Sequence, residues 1–438
     1  MGANPTLAKW DKPLWLLLFA AVCAVALWLR IANPPVTARS PDEKYYMYYA
    51  EKVLAAPLTA PRDFVIAYNK SSKNWTYPIP LRVAYYYSIA AIMALFRVDA
   101  EHAGVALSTS ASILQFILVG AFGLRFFGRW PTLIALTLLA VSPPDLAMAR
   151  RVWGDGVSGS IAMLLVWLCA EIFTHPRARL WYTAFWLSSI YFLLVKESGG
   201  IFYGLCVIAL ALHSWRQHQA WSPVIRILAA AIVTAAFAFT IMAFLCGGIS
   251  PALETVHHSA QAAPTNIYGA LYQNGPWYSF PLGLWMLSPQ TAFGAAIALF
   301  YMLLPGNALA TILSLNRSQR TIAAALGILI ILIIVAATVP PALKNLRYIS
   351  FIYGPFYLLA ALGLTAIVTV ACNSLASPPP VRYLPAIPIP LFLATVALGL
   401  ILVAQSDYSR FCQLFVNSDI KDLNIRQIVT YPFENASP

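Results

Sequence analysis

Apolar residues run along this chain in long blocks, with polar residues gathered in the intervals between them. A helix needs about 20 apolar residues to cross a bilayer. Blocks near that length lie at 14–31, 103–124, 131–148, 157–173, 180–195, 199–213, 224–246, 283–304, 320–339, 347–371 and 384–404. The block at 81–97 is ambiguous: it is short, opens on Pro80-Leu81-Arg82 and carries Tyr85, Tyr86 and Tyr87 in succession.

Charge decides the ambiguity. With 81–97 lying along the membrane surface, the other eleven blocks put the N-terminus inside and the C-terminus outside. The inner loops then hold Lys9, Lys12, Arg125, Arg129, Arg177, Arg179, Arg216, Arg226, Arg317, Arg320 and Arg382, opposed only by Asp11 and Glu171. Basic inner loops are what the positive-inside rule requires. A crossing at 81–97 would turn every later Arg-rich loop outward. The pattern predicts an all-α polytopic membrane protein of about 11 transmembrane helices over residues 1–404. Two long outer segments, 32–102 and 247–282, interrupt it, the first carrying amphipathic surface helices. A tail over 405–438 is too short to fold as a domain. No small-residue cleavage site stands out before Arg30, so the block at 14–31 is expected to stay as the first helix.

Composition narrows the classes. The chain of 438 residues is 60% hydrophobic and 10% charged, with mean hydropathy +0.71. Soluble domains carry about 25% charged residues, so a soluble enzyme, a disordered chain and a disulfide scaffold are excluded. The six cysteines sit mostly inside apolar runs without CxxC spacing and read as small buried hydrophobes. The net charge of +12 is scattered between apolar runs and not gathered in a stripe, which excludes nucleic acid as a partner.

Four polar intervals could carry chemistry. After the first block, Arg39-Ser40-Pro41-Asp42-Glu43 reads as a helix start, with Ser40 as N-cap, Pro41 at the first helical position and Glu43 completing a capping box. Asp42 and Glu43 then either favour the positive end of the helix dipole or work as a carboxylate pair, one taking a proton and one orienting a substrate. Arg150-Arg151 and Asp155 join two blocks near membrane depth, where charge is costly and tends to be paired or functional. Lys196-Glu197-Ser198-Gly199 breaks a long hydrophobic stretch, as an anion site or as an ordinary loop. Lys344-Asn345-Leu346-Arg347-Tyr348 opens a late block, and Arg347 there either binds a phosphate through its planar fork of donors or snorkels at the interface. His257 and His258 adjoin in the second outer segment, a weak metal signal.

The run Pro41-Asp42-Glu43 followed by Tyr46 and Ala50 resembles the first outer loop of the GT-C membrane glycosyltransferases. Within them it is similar to the protein O-mannosyltransferase and aminoarabinose transferase superfamily, the glycosyltransferase family 39-like group. Further segments agree: Pro78-Ile79-Pro80-Leu81 resembles the Pro-Pro-Leu segment, although Ile79 splits it. Arg125-Phe126-Phe127-Gly128-Arg129 resembles the inner turn, Ser142 through Arg151 and Asp155 the second outer acidic motif, Lys196-Glu197-Ser198-Gly199 the Lys-containing break, and Arg347-Tyr348 a late helix start. The likeness covers roughly residues 10–370.

The resemblance implies a glycosyltransferase in the cell membrane, of bacterial inner or plasma type, with its active site on the extracytoplasmic face. Its donor would be a sugar on a polyprenyl phosphate, and its acceptor an unspecified glycan, lipid or protein. Transfer would be an inverting single displacement with Asp42 as base and Glu43 positioning the acceptor or holding the base. Lys196, Arg347, Arg151 and Arg150 would bind the donor phosphate, supported by Asp155, Tyr46 and Tyr348. No cofactor is required by this reading, and a divalent metal is left open. A lipid or sugar transporter (a flippase) and a noncatalytic partner of another glycosyltransferase are the competing readings.

Overall fold

A computed structural model describes residues 5–32, 36, 38–75, 77–265, 267–340, 344–376, 389–418, 420 and 422–434. Arg382 and residues 384–388 of the last apolar block lie outside them. The helices run α1 (Pro5–Ile31), α2 (Pro41–Ala55), α3 (Ala60–Lys70), α4 (Val83–Phe96), α5 (Ala100–Phe126), α6 (Arg129–Ala140), α7 (Pro143–Ala149), α8 (Gly154–Thr174), α9 (Arg179–Val195) and α10 (Gly199–His218). They continue as α11 (Trp221–Leu245), α12 (Ile249–Thr265), α13 (Ile267–Tyr272), α14 (Ser279–Leu287), α15 (Pro289–Leu303), α16 (Ala308–Ile312), α17 (Arg317–Thr338), α18 (Tyr353–Ala376), α19 (Ile389–Phe411) and α20 (Ile425–Glu434). Among the described residues there is no strand, only an isolated antiparallel bridge between Asn345 and Asn424.

Among the described residues, seven helices are long and apolar enough to cross a membrane: Pro13–Ile31, Ala100–Phe126, Gly154–Thr174, Gly199–His218, Trp221–Leu245, Arg317–Thr338 and Leu346–Cys372. The pair α6 and α7, bent by 56°, makes an eighth if it is one broken span. The expected count of eleven is therefore not confirmed, and local chemistry divides two of the expected blocks. Ser142 caps α7 and Pro143 and Pro144 open it, so the block at 131–148 becomes two short helices. Ser288 and Pro289 divide the block at 283–304 between α14 and α15 in the same way. Helix α4 rises about 21 Å against a hydrocarbon core of about 30 Å. It buries Tyr85, Tyr86 and Ile89 completely, wedged among α2, α5 and α9.

A buried charge closes the break between α6 and α7. Arg30, near the end of α1, pairs with Asp145 at 2.5 Å and receives no solvent. It also donates to the Leu139 and Ala140 carbonyls at the end of α6, at 3.1 and 3.2 Å, and to the Ala26 carbonyl of its own helix at 3.0 Å. Ser112 on α5 accepts from Arg30 at 2.6 Å and donates to Asp145 at 2.5 Å. One guanidinium thus ties four helices where the backbone is interrupted.

Helices α15 and α18 approach so closely that only glycine fits at their contact. A Cβ on Gly363 would stand 1.9 Å from the Gly294 carbonyl oxygen, and one on Gly294 would stand 2.7 Å from the Ala360 carbonyl oxygen. Small residues let helix backbones approach in lipid, where packing replaces the hydrophobic effect. Gly363→Ala is expected to cost about 1–3 kcal/mol by overpacking and to lower the melting temperature in detergent. Gly204→Ala, with nothing within 4 Å of its Cβ, should be neutral or stabilising by up to about 1 kcal/mol. Thermal unfolding of both variants checks the contrast.

Candidate functional site

The site starts at the first turn of α2. Ser40 has the extended backbone of an N-cap, and the capping box forms in full: the Ser40 hydroxyl accepts from the Glu43 amide, and Glu43 accepts from the Ser40 amide at 2.7 Å. This fixes the directions of two neighbouring carboxylates. They go to opposite environments.

Glu43 is 0% exposed. It accepts from Arg39 at 3.1 Å, from Arg151 at 2.9 Å and from the Val152 amide at 2.9 Å. Burial alone would raise its pKa, but Arg151, the Ser40 and Val152 amides and Arg39 outweigh it and hold the carboxyl below its usual range. Every lone pair that faces the protein is used. Glu43 therefore clamps the start of α2 to the segment between α7 and α8.

Asp42 keeps 38% of its side chain exposed and stands 3.5 Å from the Arg347 guanidinium. Desolvation raises its pKa above the ordinary carboxylate value, with Arg347 opposing and Asp422 adding to the rise. Arg347 also pairs with Asp422 at 2.9 Å and lies over the Trp153 ring, 4.6 Å from its centroid.

Around this pair the cationic breaks assemble. Lys196, at the end of α9, pairs with Asp155 at 2.5 Å and sits 5.3 Å from the ring centroids of both Tyr348 and Phe351. Burial lowers the Lys196 pKa and Asp155 works against it. Asp155 lies in Coulombic reach of Arg347, and Arg82 in reach of both Asp42 and Asp155, so the groups share one field. Arg82 holds Glu197 by a two-point contact, one arm at 2.7 Å, and donates to the Tyr46 hydroxyl. Tyr348 lies between Lys196 and Gln273, its hydroxyl 3.5 Å from the Gln273 carbonyl oxygen.

The structure thus brings together Asp42, Glu43, Tyr46, Arg151, Asp155, Lys196, Arg347 and Tyr348. Arg150 is not with them: it donates to the Phe415 carbonyl at 3.2 Å and lies over the Phe411 ring. His257 and His258 also lie apart, the first beside Gln261 and the second stacked on Trp75 at 4.0 Å. Among the described residues no group of three or more His, Cys, Asp or Glu could hold a metal ion. Each carboxylate of the cluster already faces a cation, so this donor set does not fit a divalent metal.

Asp422 is the residue that motif reading missed. It lies in the tail, which returns to the site: Leu346 donates to the Leu423 carbonyl at 3.0 Å and Ile425 to the Lys344 carbonyl at 3.3 Å. Asn345 donates to Asp422 and to Asn424, both at 2.9 Å. A charge count carries the signal that could have found it. Arg82, Arg151, Lys196 and Arg347 are buried or half-buried cations, and a fifth carboxylate is needed once Asp42 is left partly free.

No protein-family model matches the sequence, and no curated protein matches it. Solved structures do. Apo ArnT from Cupriavidus metallidurans superposes with a TM-score of 0.53 at 17% identity, over 96% of this chain and 78% of that one. The archaeal oligosaccharyltransferase AglB from Archaeoglobus fulgidus, in complex with an inhibitory peptide and a dolichol-phosphate, gives 0.56 at 12% identity, over 91% of this chain and 56% of that one. A further Archaeoglobus fulgidus oligosaccharyltransferase structure, tethered to an acceptor peptide, gives 0.51 at 12% identity. Both kinds of neighbour are GT-C glycosyltransferases. The fold is that of the GT-C class, carried by a multi-pass membrane protein.

The two carboxylates should separate in a stability assay. Glu43→Gln leaves Arg151 buried without its charge partner, which costs about 3–5 kcal/mol and lowers the melting temperature. Asp42→Asn, at a half-open position, should leave it nearly unchanged.

Proposed function

We propose that this protein is a membrane glycosyltransferase that moves a sugar from a polyprenyl-phosphate donor to an acceptor on the extracytoplasmic face. The observation that carries the reading is the half-exposed Asp42 carboxylate, 3.5 Å from Arg347, in a charged cluster that also holds Lys196, Arg82 and Arg151. The GT-C fold supports it, and one neighbour of that fold was solved with dolichol-phosphate bound.

The chemistry follows from charge development. The acceptor heteroatom attacks the anomeric carbon as Asp42 takes its proton. The bond from that carbon to the phosphate oxygen breaks on the opposite face, and the polyprenyl phosphate leaves with the electron pair. The anomeric configuration inverts. A base whose pKa is raised by burial is a better proton acceptor than a solvated carboxylate. The departing phosphate gains negative charge, and fixed cations outside bulk water stabilise it. Arg347 suits that role because its planar fork matches phosphate oxygens. Lys196 adds a compact charge held by aromatic rings. Asp155 positions Lys196, Asp422 positions Arg347, and Tyr46 is fixed by Arg82. Glu43 acts by holding the turn that presents Asp42, with Arg151 as its partner.

Purified protein in detergent, given a labelled polyprenyl-phosphate sugar and an envelope extract as acceptor, tests this reading. Asp42→Asn should lower transfer by about 10²–10⁴-fold and Arg347→Gln by about 10²–10³-fold. The base works deprotonated, so activity falls as pH drops through its pKa. Because burial raises that pKa, the acidic limb should lie above the ordinary aspartate value of about 3.9. Full activity in a folded Asp42→Asn variant refutes the assignment. Substrate flux across sealed vesicles without covalent product would favour a transporter.

A further inference from the structure

Beside the charged cluster, α2 and α3 enclose a cleft of about 800 Å³ that none of the chemistry above uses. Small-molecule sites typically occupy about 300–1,000 Å³ and combine aromatic walls with a few polar groups. This cleft has both. Tyr45, Tyr48 and Tyr49 of α2 line it together with Phe64 of α3 and Tyr77. Tyr45 stacks on Tyr77 with centroids 4.2 Å apart, and Tyr49 meets Phe64 at 4.4 Å. The Tyr49 hydroxyl is held by the Pro78 carbonyl, so this wall is fixed before any ligand arrives. Tyr48 stays 47% exposed.

Three charged groups complete the lining, the ammonium groups of Lys44 and Lys52 and the Asp63 carboxylate, which leaves it net positive. Lys44 and Lys52 are exposed, the second 5.6 Å from the Tyr48 ring centroid, and neither has an ion-pair partner among the described residues. An isoprenoid chain gains nothing from unpaired ammonium groups. Flat ring faces beside cations suit sugar rings that carry acidic groups.

Asp42 is not part of the lining, but it lies one turn before Tyr45 on the same helix. Tyr45 and Tyr49 stand three and seven residues beyond Asp42, on the same side of α2. Tyr48 lies six residues on, a rise of about 9 Å along the helix axis.

We propose that this cleft is the acceptor site and that the acceptor is an anionic oligosaccharide, a statement that rests on the glycosyltransferase reading. The sugar rings lie against Tyr48 and Tyr45, the acidic groups meet Lys44 and Lys52, and the attacking hydroxyl points to Asp42.

Calorimetry on the full chain in detergent tests the proposal with tetragalacturonate, a phosphorylated mannotetraose and neutral maltotetraose as probes. At least one acidic probe should bind, and Tyr48→Ala and the double variant Lys44→Gln/Lys52→Gln should each weaken it at least tenfold. All three side chains are exposed, so the melting temperature should hold, as should donor hydrolysis in the absence of acceptor. Binding of maltotetraose as tight as that of the acidic probes overturns the proposal, as does failure of both acidic probes to bind. Displacement of a bound acidic probe by undecaprenyl phosphate overturns it too. Transfer that persists while the variants bind as wild type refutes the cleft alone. Acidic probes that bind to a chain unable to transfer sugar refute the enzymatic reading and leave the cleft as a saccharide site.

Discussion

A cation withdrawn from water beside an apolar bundle must find a carboxylate or a set of backbone carbonyls, or pay several kilocalories per mole. That requirement organises this molecule from α1 to its tail. Arg30 meets Asp145, Arg151 meets Glu43, Lys196 meets Asp155, Arg82 meets Glu197 and Arg347 meets Asp422. Each pair joins segments distant in the chain, and most of them sit where a helix starts, stops or breaks. Interrupted helices expose backbone groups that need partners, and the same charges that repair the interruptions define the pocket. One set of side chains thus repairs the helix breaks and gathers the charged cluster.

Within that set, Asp42 differs in how far its charge is satisfied. Its partner Arg347 is shared with Asp422 and stands farther from Asp42, at 3.5 Å against 2.9 Å. The carboxyl of Glu43, one residue on, is saturated by four donors. The capping box accounts for the split, because a helix turns by about 100° per residue and pinning Glu43 inward leaves Asp42 at the mouth. A saturated Glu43 and a partly exposed Asp42 are two consequences of the same turn.

The tail has a comparable double part. Residues 422–425 pair with 344–346 through backbone bonds and through Asn345, which also accepts from the Arg347 amide at 3.0 Å. Lys344 donates to the Thr338 and Pro340 carbonyls at 2.6 and 2.9 Å, closing the end of α17. The short helix Leu346–Ile352, which presents Arg347, is thereby held from both sides. An arginine with many rotamers thereby becomes a fixed charge.

Much was legible in the amino-acid order alone, because local rules decide it. Apolar block lengths predicted a polytopic helical protein, and Ser40-Pro41-Asp42-Glu43 predicted a capped helix start that forms as written. The run of short motifs pointed to the GT-C fold that the superpositions show. Span counting was less secure, since block length does not reveal that Ser142-Pro143 and Ser288-Pro289 divide their helices. Pairing was not legible at all. Arg150 and Arg151 are adjacent and chemically identical, yet one turns to Phe415 and the other to Glu43. Asp422, 75 residues from Arg347, has no local pattern that marks it. Helix caps and apolar runs depend on neighbours within a turn or two, whereas the partner of a buried charge is whichever opposite charge the packed helices bring within reach.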